Sequence, residues 1–239
     1  MPLPKIATPT YELELPSTGK TIQYRPFLVK EEKLLVIALE SEDTKQITTA
    51  IKAVIKACIK TKGIKVEALP TFDIEYLFLN IRGKSVGEDL EVNIICPDDK
   101  ETEVKVNINL DDIQCVKSEE HTNKIQLDSN LMMEMKYPSL DEFIKTNFDM
   151  QEQNQMEQSF DLIAQCIDKV YSEDEVWATE DCTKKELNEF LESMNSAQFK
   201  EIEGFFTSMP KLTHTLMVTN PKTKVESEVV LEGLASFFA

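Results

Sequence analysis

Glycine is scarce in this chain, with only 6 in 239 residues, and no Gly-rich loop of the kind that cradles phosphate can be assembled from them. Histidine is scarcer still: His121 stands in the polar run Glu-Glu-His-Thr-Asn and His214 follows Pro210, neither with a partner motif. No Gly-x-Ser-x-Gly elbow occurs. No Cys-x-x-Cys pair exists, and the 5 cysteines (Cys58, Cys96, Cys115, Cys166, Cys182) are odd in number and widely spaced. That usage reads as reduced, mostly buried thiols in a cytosolic setting rather than a disulfide framework. No apolar run approaches the roughly 18 residues of a membrane span. Met-Pro-Leu-Pro-Lys-Ile-Ala-Thr-Pro at the start has no continuous apolar segment like that of a signal peptide, so a cytoplasmic protein is expected.

Positive charge is also in short supply. Lys and Arg number 26 against 43 acidic residues, a net charge of −17. Such a surface repels phosphate and anionic lipid, which argues against nucleic-acid and membrane partners. It leaves either a solvated acidic exterior or an affinity for basic protein surfaces. Hydrophobic residues make up 41 %, enough for a packed core.

The pattern along the chain predicts an α+β protein, with helical bundle segments and antiparallel β-hairpins, two of them ribbon-like without metal. Tyr11–Leu15 and Thr21–Tyr24 alternate around Pro16-Ser-Thr-Gly19 and read as an opening hairpin. Helices follow, one with Leu34, Leu35, Ile37, Ala38 and Leu39 as its apolar face, and one over roughly 43–61. In the second, Lys52, Lys56 and Lys60 form a basic row, either a solvated face or a site for an acidic partner. Asp73–Arg82 reads as a buried third helix closed by Gly83 and Gly87. Leu90–Ile95 and Val104–Leu110 form a second hairpin, and Lys124–Leu127 and Leu131–Tyr137 two short strands. Beyond Pro138, capping boxes at Ser139/Glu142 and Thr183/Glu186 open helices, a longer helix is expected over 150–170, and Ser196 is expected to cap another. Two domains are expected, 1–137 (hairpin, three helices, small antiparallel sheet) and 138–239 (helices ending in a hairpin).

Cys96-Pro-Asp-Asp99 looks like half of a zinc knuckle whose second cysteine is Asp99, and Asn220-Pro-Lys-Thr223 holds the matching place in a later hairpin with no cysteine. Zinc needs about four soft or borderline ligands, so no metal and no cofactor are expected. The two Pro-containing hairpins, each leading into a Leu-rich segment, form a weak internal repeat.

Five strings together carry a resemblance: Leu15-Pro-Ser-Thr-Gly-Lys20, Tyr24-Arg-Pro-Phe-Leu-Val-Lys-Glu-Glu-Lys33, Phe72-Asp-Ile-Glu-Tyr76, Arg82-Gly-Lys-Ser-Val-Gly87 and Leu231-Glu-Gly-Leu-Ala-Ser-Phe-Phe238. In these the chain resembles the baseplate hub assembly protein family of T4-like contractile-tailed bacteriophages, most firmly over 11–112. Some relatives keep Cys-Pro-x-Cys in the hairpins, where this chain departs. The resemblance implies a non-enzymatic phage tail protein, an assembly factor (a chaperone) or a subunit of the central baseplate hub. Its implied partners are hub, tape-measure and tail-tube proteins, met in the host cytoplasm during tail assembly, with a place in the virion tail baseplate left open. Arg25, Lys30, Glu31 and Arg82 are the candidate partner-binding residues, the alternative for Arg25 and Arg82 being that they pair with Glu31, Glu32, Asp73 or Glu75 inside the fold. The alternative is a cysteine- or metal-dependent small enzyme built on Cys96 with His121 or His214.

Overall fold

In the computed structural model, residues 6–41, 43–140 and 155–233 are described. The expected helix over 143–148, Glu142 of the Ser139 capping box, the start of the 150–170 helix and the Leu234–Phe238 end of the last string lie outside them. The fold is mixed α+β, with antiparallel pairing throughout the described sheets. Contacts divide the chain into one unit of residues 1–66, 72–116 and 210–239 and another of 67–71 and 117–209. The expected break at 137/138 is not the one these contacts make. The C-terminal hairpin joins the first unit because its first strand pairs with 114–116, a pairing that no local pattern announces.

In the first unit, β1 (Tyr11–Glu14) and β2 (Thr21–Tyr24) form the expected hairpin. Helix α1 spans Val29–Glu40 and α2 spans Thr44–Cys58, the latter capped by Asp43, whose carboxylate accepts from the Lys45 and Gln46 amides. On α2, Ala50, Val54, Ile55 and Cys58 are buried, a helical spacing that makes one inward stripe. Helix α3 (Thr71–Val86) runs through Gly83 rather than ending there. Leu110 packs 3.4 Å from where a Cβ on Gly83 would sit, so the glycine serves close packing, and Gly87, at φ 118°, follows the helix end. Strands β3 (Asp89–Ile95) and β4 (Glu103–Asn109) bury every second residue on β3, as period-two patterning requires. The remaining sheet has β5 (Gln114–Val116), β10 (Lys211–Thr219) and β11 (Glu226–Glu232) in the order β11-β10-β5. Leu79 of α3 shares one core with Leu90, Val92, Ile108, Leu212 and Leu231.

The second unit is built on a sheet ordered β6-β7-β8-β9: Lys124–Gln126, Met132–Met135, Ile167–Tyr171 and Val176–Ala178. Helices α4 (Gln155–Cys166), α5 (Lys184–Glu192) and α6 (Ser196–Ser208) accompany it. The expected helix to 170 stops at Cys166. From Ile167 the chain becomes an inner strand, because pairing with both β7 and β9 and burial of Ile167 and Val170 in the sheet outweigh continued helical spacing. Met133 and Met135 are buried with Ile163, Ile167 and Phe205, so the methionine-rich strand is core rather than an adaptable surface. The Thr183/Glu186 capping box forms as expected, with the Thr183 amide donating to Glu186 at 2.7 Å. The next cap is Asn195 rather than Ser196, since the Asn195 carboxamide oxygen accepts from both the Ala197 and Gln198 amides.

The internal repeat proves to be geometric. In the β3–β4 turn the Lys100 amide donates to the Cys96 carbonyl at 2.9 Å, and in the β10–β11 turn the Lys224 amide donates to the Asn220 carbonyl at 2.9 Å. Lys100 (φ 57°) and Lys224 (φ 65°) are the two non-glycine residues with positive φ among those described. The two turns are also tied together. Asn220, buried, donates through Nδ2 to both Asp98 oxygens at 3.0 and 3.1 Å, and the Thr223 hydroxyl donates to Asp98 Oδ2. Asp99 closes its own turn by accepting from the Glu101 and Thr102 amides and the Thr102 hydroxyl. Asn220→Ala is expected to cost about 2 kcal/mol in urea unfolding, because it strips two bonds from a charged acceptor inside the clasp. A loss below roughly 0.5 kcal/mol would show that the turns are held by their flanking strands alone.

Candidate functional site

The strings that first drew attention gather on α3 of the first unit. Asp73 is buried, and its carboxylate accepts from the Ser17 amide at 3.0 Å and from the Ser17 hydroxyl. The Phe72–Tyr76 string therefore holds the Leu15–Lys20 turn. Burial raises the Asp73 carboxyl above its ordinary value, with the Ser17 bonds working the other way. One helix end later, the Phe27 amide donates to the Ser85 hydroxyl at 2.9 Å, so the Arg82–Gly87 string holds the Tyr24–Lys33 corner.

That corner positions α1. Arg25 Nη2 donates to Glu31 Oε1 at 3.0 Å, with the two side chains 14 % and 7 % exposed. Arg25 Nη1 donates to the Pro26 carbonyl at 2.8 Å, and the Arg25 amide to the Cys58 carbonyl at 3.0 Å. The other Glu31 oxygen accepts from the Leu28 amide at 2.7 Å, the reach-back half of a capping box at the start of α1. Burial pushes the Glu31 carboxyl up, but the bonds from Arg25, the Leu28 amide and Lys30 outweigh it and hold Glu31 below its ordinary value. Two of the four candidate contact residues, Arg25 and Glu31, are thus spent on each other. Arg82 lies half-buried on α3, where burial lowers its guanidinium from the ordinary value. Lys30 differs: its side chain is 73 % exposed and touches Glu31 only at 3.3 Å.

The sequence reading missed what α1 does with its apolar residues. Only Glu31 and Ala38 are buried and Leu35 is half-buried, a single stripe at spacings of four and three. Val29, Leu34, Val36, Ile37 and Leu39 are exposed, Val29 by 78 % and Ile37 by 54 %. The expected inward face of Leu34, Leu35, Ile37, Ala38 and Leu39 is corrected accordingly. The signal was present, since seven of the residues from Val29 to Leu39 are apolar and no single packed stripe can bury them all. A run of this kind on a surface is a candidate contact site.

The alternative chemical centre does not assemble. Of the residues standing where knuckle cysteines would be, Asn220 and Thr223 are engaged in the clasp and Asp99 in closing its own turn, and burial raises the Cys96 thiol. One thiol among carboxamide and hydroxyl groups does not fit zinc. Among the described residues no group of three or more His, Cys, Asp or Glu gathers as a metal set. Cys58 and Cys115 are pushed up by burial to about 11 and about 12, far from thiolate reactivity at neutral pH. His121, in the second unit, is buried rather than set in an open polar loop. Its Nδ1 lies 2.9 Å from the Ser208 hydroxyl and its Nε2 lies 2.9 Å from the Tyr137 hydroxyl, with the ring against Tyr137 and Phe205.

Two outcomes follow. Glu31→Ala strands the Arg25 guanidinium and unseats α1, so a stability loss of about 3 kcal/mol is expected in chemical unfolding; because Glu31 is depressed in the fold, wild-type stability from this group is present above the ordinary Glu range and is lost as the pH falls below it. Burial lowers His121, with Lys117 adding to the effect, so the unfolded chain takes up the proton first. His121 therefore favours the fold above about pH 6.5 and opposes it below. Thermal melts of wild type and His121→Gln across that range are expected to show the acid-side slope in wild type only.

No curated protein and no solved structure matches the chain. The family model described as "T4 bacteriophage base plate protein" matches residues 8–239. That span takes in the clipped corner at α3, both tied hairpin turns and both units, and the chain belongs to the T4 bacteriophage base plate protein family, a structural protein of the phage baseplate.

Proposed function

We propose that this baseplate protein is an assembly factor or subunit of the central hub, working without enzymatic chemistry by contact with hub and tape-measure proteins in the host cytoplasm during tail assembly. The observation that carries the reading is α1. A two-point clip, Arg25–Glu31 and Phe27–Ser85, fixes a helix that presents Val29, Val36, Ile37 and Leu39 to the outside beside Lys30. A fixed apolar helix face with a polar rim has the anatomy of a helix-mediated protein contact. Within this reading Lys30 is the one of the four candidate residues that meets a partner directly. Arg25 and Glu31 set the start of the helix.

Co-expression with hub and tape-measure proteins, followed by co-purification, tests this. Capture of at least one of them is expected, with Val36→Asp/Ile37→Asp weakening it by about a hundredfold while leaving thermal unfolding in place, since both side chains are already in water. Lys30→Glu is expected to weaken it by about threefold, as a rim charge does. Failure to capture either protein, together with normal tails in its absence, would refute the hub role without touching the family membership.

A further inference from the structure

The second unit carries a feature that the α1 surface does not involve. Leu131, Ile167, Val170, Trp177, Leu187 and Phe190 line a cavity of about 290 Å³ between the sheet and α5. Trp177, the single tryptophan of the chain, stands at it 44 % exposed, and neighbouring Val176 is 66 % exposed. Both lie on β9, the outer strand of its sheet. A half-open indole at the edge of an apolar hollow makes a natural seat for an aliphatic or aromatic anchor.

Charge says what kind of anchor. The turn and the helical turn flanking β9 hold Glu173, Asp174, Glu175, Glu180 and Asp181, with no Lys or Arg anywhere in 172–181. The turn is rigid: the Ser172 hydroxyl accepts from the Asp174 and Glu175 amides, and the Ser172 amide donates to the Glu175 carbonyl at 2.8 Å. Glu186, on the cavity wall, is held below its ordinary value by Thr183 and stays ionised. The nearby cations are engaged: Lys184 with Asp161, Lys185 with Glu189 and Lys169 with Glu134. None of the five flanking carboxylates forms an ion pair with a described residue. The apolar hollow is thus edged by uncompensated negative charge on a fixed frame.

We infer that this groove docks a basic segment of a partner protein, inserting a bulky apolar side chain against Trp177 and laying Lys or Arg along the 173–181 edge. A second copy of this chain, itself at net charge −17, is the wrong complement. The surface is separate from α1 and stands whether or not the hub assignment does.

Trp177 is its own reporter. The full chain is titrated with a synthetic amphipathic peptide of Lys-Leu-Leu-Lys repeats while indole emission is followed. A saturable blue shift is expected, weakened about tenfold at roughly 0.5 M salt. Glu173→Lys/Asp174→Lys/Glu175→Lys, all exposed in the turn, is expected to weaken it about tenfold, and the matched reversal in the first unit, Glu103→Lys/Glu226→Lys/Glu228→Lys, by less than about twofold. Oligolysine, which lacks the anchor, and a Glu-Leu-Leu-Glu peptide, which lacks the charge, are expected to give no shift. Equal weakening by both reversals would reduce the effect to net charge and overturn the proposal. So would an unmoved indole, a shift of equal affinity with the acidic peptide, or a blue shift on concentrating the chain alone, which would mark a second copy as the occupant. Co-purification through α1 bears on none of these outcomes.

Discussion

Helix α3 buries Phe72, Asp73, Ile74, Leu77, Phe78, Leu79, Ile81 and Gly83, which leaves it almost no face to offer to water. A helix apolar on nearly every side must be enclosed. Enclosure takes the β3–β4 hairpin, the β11-β10-β5 sheet and the β1–β2 turn, elements drawn from both ends of the chain. Two of the polar groups carried along in that burial are met by covering segments: Asp73 by Ser17, and Ser85 by the Phe27 amide. Each such bond contributes about 1 kcal/mol on balance, but leaving either group bare in the interior would cost more, so the clips fix where the covering segments lie.

Short strings of ordinary residues thus work in pairs. Leu15–Lys20 and Phe72–Tyr76 are two halves of one clip, and Tyr24–Lys33 and Arg82–Gly87 two halves of another. The first holds the β1–β2 turn, and the second sets the corner from which α1 starts. Incomplete burial is thus what leaves this helix an apolar face. The core takes Glu31, Leu35 and Ala38 of α1 and leaves Val36, Ile37 and Leu39 for something else to cover.

The two hairpin turns make a parallel point about chemistry. Positive φ at Lys100 and Lys224, with matching amide-to-carbonyl closure, gives both turns one backbone form. In this chain the side chains around them are joined by Asp98, Asn220 and Thr223. A carboxylate accepting from a buried carboxamide and a hydroxyl does by hydrogen bonding what a crosslink would do by coordination.

Much of the local structure was legible in the residues alone. Alternation in Asp89–Ile95 and Glu103–Asn109, the helical stripe of α2, and the Thr183/Glu186 cap all follow from periodicity and capping, which act over a few residues. What the sequence could not reveal depended on partners far along the chain. The strand Ile167–Tyr171 looks helical until β7 and β9 flank it, and Ser17 and Asp73 are joined only when the β1–β2 turn folds onto α3. The C-terminal hairpin belongs to the first unit because β10 finds β5 almost a hundred residues earlier in the chain. Composition and spacing determined an acidic α+β protein with a sizeable apolar core. Which apolar residues that core would leave uncovered was decided by tertiary packing, because α1 lies against α2 and only one stripe of a helix can face a single neighbour.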